Sequence, residues 1–310
     1  MLALTGFFLL FGVLLGTVFG FFAMGGSFLI TPLLIIIGYP AQEAVATGLA
    51  FVFGTSIISM LKHREYNQTD YKLGLLMGAA MSFGVFIGSK VLSYFEQLGN
   101  SDLFVGGAYI VLLGVVGIEM MRGSRTDHTE LEQLLARHRL YPVIRVGKKN
   151  RKISVWIITL LGFLTGIVAG LMGVGGGFLL VPVMTLFLGL NASVAVGTTI
   201  LVILLSSGYG TFLYAGQGLV NLEAVTTLLF GSALGAKLGA KASNIVPEED
   251  LENYFGYMVL LGALAVSIEQ IRSYTGLGML RYISIAVIFG STVLMSTIIY
   301  IDAFRTTESS

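Results

Sequence analysis

Nine runs of about 20 apolar residues follow one another along the chain, at 2–23, 43–61, 70–94, 103–121, 153–173, 192–214, 221–243, 251–271 and 279–301. A run of that length, wound as a helix, matches the hydrocarbon thickness of a bilayer. Nothing else in the sequence limits the fold as tightly, because lipid offers the backbone no hydrogen bonds and admits only helices or closed barrels. Runs this long and continuous, without two-residue alternation, read as helices. Composition agrees. The 310 residues are 55% hydrophobic and 11% charged, against about 25% charged in a soluble domain. Mean hydropathy is +0.87. The expected class is therefore an all-α polytopic membrane protein, multi-pass in a bilayer.

The absence of cysteine excludes disulfides, thiolate metal sites and cysteine nucleophiles. A net charge of +1 points to no partner class, and no nucleic-acid partner is expected. The opening MLALTGFFLLFG has neither a basic n-region nor a small-residue cleavage site, so it reads as a mature helix rather than a signal peptide.

Two further apolar pieces, 27–38 and 177–189, are too short to span alone. Each follows a glycine cluster and carries a proline near its start, the pattern of half-helices or broken helices. The one sizeable polar loop, 122–152, holds nine of the eighteen Lys and Arg. The positive-inside rule puts it in the cytoplasm. Within it, TDHTELEQLLARHRL has acids early and bases late, which fits a short surface helix as well as a solvated linker.

A shift of 150 residues lays the first half on the second. Gly12, Gly16, Gly20, Gly25, Gly26, Phe28, Leu29 and Pro32 then meet Gly162, Gly166, Gly170, Gly175, Gly176, Phe178, Leu179 and Pro182. With one inserted residue the shift becomes 151. AVAT at Ala44–Thr47 meets AVGT ending at Thr198, and GVFIGSK at Gly84–Lys90 meets GAKLGAK at Gly235–Lys241. The organisation expected is a first repeat at 1–121, the basic loop at 122–152, a second repeat at 153–271, and an additional helix with a tail at 272–310. Each repeat has five segments. Lys62, Arg64 and Lys72 in one loop, against an uncharged 215–220 in its counterpart, favour an inverted pair. Arg272 and Arg281 border a loop that inversion places outside, and they favour a parallel pair.

Glycines spaced by four let membrane helices approach closely, which accounts for Gly12/Gly16/Gly20, Gly162/Gly166/Gly170 and Gly231/Gly235/Gly239. The clusters Gly25-Gly26-Ser27 and Gly175-Gly176-Gly177 differ. Adjacent glycines disfavour a helix by about 1 kcal/mol each relative to alanine and leave N–H groups uncovered. Such groups need partners or a cavity in the membrane. With the helix start that follows, they make a neutral cradle for an anion; a kink that only shapes packing is the other reading. A Walker loop fails for want of a Lys, and a dinucleotide fingerprint for want of a strand and the third spacing.

GLMGVGGGFLLVPVM, its partner GFFAMGGSFLITPLL, and the following AVGTT and AVATG resemble the sulfite exporter TauE/SafE family of membrane permeases. The resemblance covers roughly residues 5–121 and 153–271. It implies transport of sulfur-containing anions such as sulfite and organosulfonates, commonly outward across the bacterial inner membrane, with substrate at Gly25, Gly26, Ser27, Gly175, Gly176 and Gly177. The first copy departs from the fuller pattern, with Ser27 in place of Gly177 and Met24 in place of Val174. Ser27 could add a hydroxyl donor.

Thr47, Thr198 and Thr199 stand near helix starts and could also donate to an anion; bonding to their own helix backbone is the equal alternative. Ser56, Ser206 and Ser207 read as backbone-bonded. Lys90 and Lys241 match between repeats and read as snorkelling to the headgroups. Lys237 lies one turn deeper, where a lysine would attract an anion or pair with an acid. Glu43 could carry a coupling proton, and more plainly is a helix-start acid at the dipole. Glu119 and Glu269 precede Arg122 and Arg272, so local ion pairs suffice. His63, His128 and His138 fall in loops at no metal spacing, and neither catalysis nor a cofactor has support. Trp156 reads as an interface anchor. The function expected is a secondary transporter for small anions, with an anion channel or a non-transporting scaffold as alternatives. A homo-oligomer stays open.

Overall fold

The computed structural model describes residues 2–22, 27–63, 69–122, 141–146, 151–243 and 248–308. In chain order the helices are α1 (Leu2–Phe22), α2 (Ile30–Ile37), α3 (Ala41–His63), α4 (Tyr71–Gln97), α5 (Ser101–Arg122), α6 (Val155–Met172), α7 (Gly177–Pro182), α8 (Ala192–Ala215), α9 (Leu222–Ser243), α10 (Glu248–Thr275) and α11 (Met279–Glu308). Among the described residues seven of them, α3, α4, α5, α6, α8, α10 and α11, are long and apolar enough to cross a membrane. The apolar stretch of α1 counted in this way is Thr5–Phe21. The chain is an all-α multi-pass membrane protein.

Both short pieces are irregular where the sequence breaks. A 3₁₀ turn, Ser27–Leu29, leads into α2, so the missing N–H of Pro32 falls in the first turn, where no partner is needed. In the second copy Pro182 sits at the end of α7 instead. The helix then widens into a π turn over Val183–Phe187. A proline removes one rung of the ladder, and a wider turn is one way to absorb the loss.

One element was not foreseen. Part of the basic loop forms an antiparallel hairpin, β1 (Val143–Val146) and β2 (Arg151–Ser154), with Val143 opposite Ser154. The expected surface helix at 126–140 lies outside the described residues. Trp156 stands exposed at the start of α6, its indole N–H donating to the Tyr141 carbonyl at 3.2 Å.

The spaced glycines form two seams. Gly12, Gly16 and Gly20 of α1 face the backbone of Leu228, Ser232 and Ala236 on α9, while Gly231, Gly235 and Gly239 face Leu9, Val13 and Thr17. Gly162, Gly166 and Gly170 of α6 face Met77, Met81 and Val85 of α4 in the same way. A Cβ at any of these positions would collide with a backbone carbonyl. Close backbone approach replaces the hydrophobic driving force that lipid removes. In both seams residue numbers rise together, so the partners run parallel. Between α3 and α8 the order reverses, with Gly208 against Phe53 and Gly210 against Leu49. It reverses again between α5 and α10, with Gly106 against Gln270 and Gly117 against Leu260. Large apolar side chains such as Leu10, Leu75, Phe83, Val111, Phe212 and Phe230 point outward, where lipid covers them.

Candidate functional site

The glycine break of the second half lies at the centre of this packing. α6 stops at Gly173, whose φ is +73° and whose N–H returns to Ala169 O at 2.8 Å. Gly175 and Gly176 follow with φ of +64° and +75°, and α7 begins at Gly177. Three left-handed residues in four would cost L side chains about 1–2 kcal/mol each, which is why glycine stands there. Every residue from Met172 to Phe178 is buried.

Two tyrosines close the end of α6. Tyr214 Oη donates to Gly170 O at 2.9 Å, and Tyr109 Oη donates to Met172 O at 2.5 Å. Both rings are fully buried. The last carbonyls of a helix have no partner within it, so in an apolar interior these hydroxyls do what water does elsewhere. Among the described residues, no backbone–backbone hydrogen bond uses the N–H of Gly175 or Gly176.

The junction rests on both repeats. A Cβ at Gly173 would lie 2.7 Å from Val45 O and 2.7 Å from Thr31 Oγ1, and one at Gly48 would lie 2.9 Å from Gly173 O. Gly175 faces Val52, and Gly176 faces Met81 and Thr165. Of the first cluster, Gly25 and Gly26 lie outside the described residues; the backbone of Ser27 opens the 3₁₀ turn. The next residue in each copy is described. Phe28 and Phe178 stack at a tilt, with ring centroids 5.7 Å apart. The starts of the two short helices are therefore neighbours.

The threonines have partners that neither sequence-level reading named. Thr47 Oγ1 accepts the N–H of Asn221 at 3.1 Å, and Thr198 Oγ1 accepts the N–H of Asp70 at 3.0 Å. Asp70 and Asn221 in turn cap α4 and α9, accepting from Leu73 N and Ala224 N. The two arrangements repeat each other 151 residues apart, and each ties one half to the other. Thr199 Oγ1 lies 3.5 Å from Met184 Sδ beneath the π turn. Ser56, Ser206 and Ser207 bond to their own helix carbonyls.

Glu43 is half-buried and accepts from Asn221 Nδ2 at 3.4 Å. Glu43 and Glu223, together with partial burial, hold the nearby Tyr39 hydroxyl above the usual tyrosine range, burial being the larger cause. Lys237 is exposed on the outer side of α9. Lys90 is exposed with its ammonium over the Phe86 ring at 5.6 Å. Glu269 pairs with Arg272 at 2.6 Å. The structure thus gathers Gly175, Gly176, Gly177 and the Phe28 side of Ser27. Thr47 and Thr198 sit at inter-repeat caps, and Lys237 is apart. The sequence reading missed Tyr109, Tyr214, Asp70 and Asn221. Only the last two had a signal, their matched spacing of 151.

Parallel glycine seams and a buried backbone break thus mark this multi-pass membrane protein. Residues 8–266 match the family model for the sulfite exporter TauE/SafE, and the chain belongs to that family. It is similar to a probable membrane transporter protein, YunE, of Bacillus subtilis (29% identical over 237 residues, 74% of this chain and 85% of that protein). A second Bacillus subtilis relative, the probable membrane transporter protein YdhB, is 27% identical over 77% of this chain and 91% of its own. A probable membrane transporter protein of Xylella fastidiosa is 26% identical over 82% of this chain and 92% of its own. No solved structure matches the chain.

Proposed function

We propose that this protein is a secondary transporter for small sulfur-containing anions, sulfite or organosulfonates, carrying them outward across the bacterial inner membrane. The observation that carries this reading is the buried left-handed break at Gly173, Gly175 and Gly176, with Phe178 just after it packed against Phe28, which follows the first glycine cluster in the sequence. A desolvated oxyanion can take the N–H groups of Gly175 and Gly176, which bond to no backbone carbonyl among the described residues, as broken helices do for anionic substrates elsewhere. The family description, sulfite exporter, supports the substrate class.

Two inverted repeats, 1–121 and 153–271, surround the site. Support comes from the opposed directions of α3 against α8 and of α5 against α10, each pair being counterparts in the repeat. Inverted copies give alternating access by rocking one against the other around a fixed site. The nine basic residues of 122–152 support a cytoplasmic position for the hairpin loop. An inside-negative potential favours anion export by about 2.3 kcal/mol per charge per 100 mV.

Proteoliposomes preloaded with radiolabelled sulfite, sulfoacetate or taurine test the proposal. Saturable efflux of at least one, lost in Gly176→Leu while the variant still purifies as a folded protein, is the expected result. No saturable efflux of any sulfur oxyanion would sink the substrate class, and full efflux by Gly176→Leu would remove the junction as the site. Efflux that rises linearly with concentration would instead indicate a channel.

A further inference from the structure

Glu269 lies in α10 and is only 5% exposed. Arg272 Nε holds one carboxylate oxygen. The other, Oε2, is buried with no hydrogen-bond partner among the described residues. Glu269 also lines a cavity of about 10 Å³, space for roughly one water. Around it stand Pro32, Ile35 and Ile36 of α2, with Tyr109 of α5. A second buried orphan is close by. Arg281 Nε, at the start of α11, has no partner among the described residues, and its guanidinium lies 3.4 Å from the Cβ position of Gly38, which ends α2.

The charged groups acting on Glu269 are Arg272 on its own helix, Arg281 on α11 and Asp102 on α5. Tyr109 also faces the cavity, and the α2 side is apolar. An ionised carboxylate accepts through both oxygens, and burying one with no donor is costly. Two events remove that cost. A proton can sit on Oε2, or the Arg281 guanidinium can move onto it. We propose that Glu269 binds and releases a proton at Oε2, the Arg281 guanidinium taking the proton's place when it leaves through the cavity. Either state leaves Arg272 on Oε1, so the exchange alters only the side facing α2. One wall of the cavity is the short helix α2, which follows directly on the 3₁₀ turn that holds Phe28. Its occupancy is therefore coupled to the junction between the repeats. The proton site rests on this geometry alone; its use in driving flux rests on the transport reading above.

Infrared titration of the full-length protein in lipid tests the site without any substrate. The expected result is a protonated-carboxyl band that is absent in Glu269→Gln. In Arg281→Gln, which leaves Glu269 in place, the band should persist to higher pH, because a competing positive charge is gone. Identical carboxyl bands in wild type and Glu269→Gln at every pH overturn the proposal, as does an unmoved titration in Arg281→Gln. In proteoliposomes, a pH gradient should raise wild-type anion efflux severalfold and leave Glu269→Gln unchanged, while exchange of labelled for unlabelled anion persists in both. A Glu269→Gln protein that answers the gradient as wild type does overturns the coupling. Absence of sulfur-anion flux in the wild type would count against the substrate reading and leaves the infrared result standing.

Discussion

Phe28 and Phe178 meet ring against ring, 5.7 Å between centroids and 53° between planes, although 150 residues separate them in the chain. Both are fully buried. Each is the first large side chain after its glycine cluster in the sequence, so this contact joins the two halves of the chain just beyond those clusters. Truncation to alanine at either position should cost about 3–5 kcal/mol, the usual range for a buried phenylalanine. The double variant should cost less than the sum, with about 0.5–1.5 kcal/mol of coupling for the ring pair. Denaturation in detergent of the two single variants and the double one gives the answer; additive losses would mean that the rings do not support each other.

The all-α multi-pass class and the break after α6 were legible because each follows from a one-dimensional rule: a length set by lipid, and a backbone preference of glycine. The same holds for the glycine seams, where spacing by four predicts close approach. Partner choice was not legible. Nothing in the sequence says that Gly16 faces Ser232 of the other repeat, or that Thr47 serves Asn221 rather than its own helix or an anion. Tyr109 opens YIVLLG and Tyr257 opens the similar YMVLLG, yet the first is buried on Met172 O and the second is exposed, an asymmetry set by packing alone. The hairpin at 143–154 was missed because its basic residues dominate a loop whose strands are only four residues each.

Gly173 and Gly107 make a matched pair for testing the break. At Gly173 the backbone is left-handed and a Cβ would press on Val45 O, which cannot move aside without shifting α3. At Gly107, on α5, nothing lies within 4 Å. Gly173→Ala should lower stability by about 1–3 kcal/mol from strain at φ > 0 alone, more with the collision. Gly107→Ala should be neutral or stabilising by up to about 1 kcal/mol, as for a helical glycine whose Cβ position is open. Thermal unfolding measured side by side distinguishes them, and equal effects would contradict the left-handed junction.

Thr47 and Thr198 should respond alike. Each hydroxyl accepts an N–H at the start of a helix in the other half of the chain. Valine keeps the shape and removes the acceptor, leaving a partly buried N–H unpaired at a cost toward the lower end of about 1–3 kcal/mol. Serine keeps the acceptor and should recover most of that loss. Thr47→Val and Thr198→Val are expected to be destabilised by similar amounts, with serine variants near wild type, in unfolding measurements. A large loss of anion flux in the serine variants, with stability unchanged, would instead assign these residues to the substrate path.

The two tyrosines that close α6 give the most direct test of how the membrane interior tolerates the break. Gly170 O and Met172 O belong to the last turn, whose carbonyls have no partner inside the helix, and they receive Tyr214 Oη and Tyr109 Oη. Phenylalanine at either position preserves the ring and its packing and removes only the donor. The stranded carbonyl should cost about 1–3 kcal/mol, because no lipid group can replace the hydroxyl. Both losses together should approach their sum, since the carbonyls are separate acceptors. If Tyr109→Phe melts at the wild-type temperature, the Met172 carbonyl must already be satisfied by another donor, and the junction would be wetter than its packing indicates.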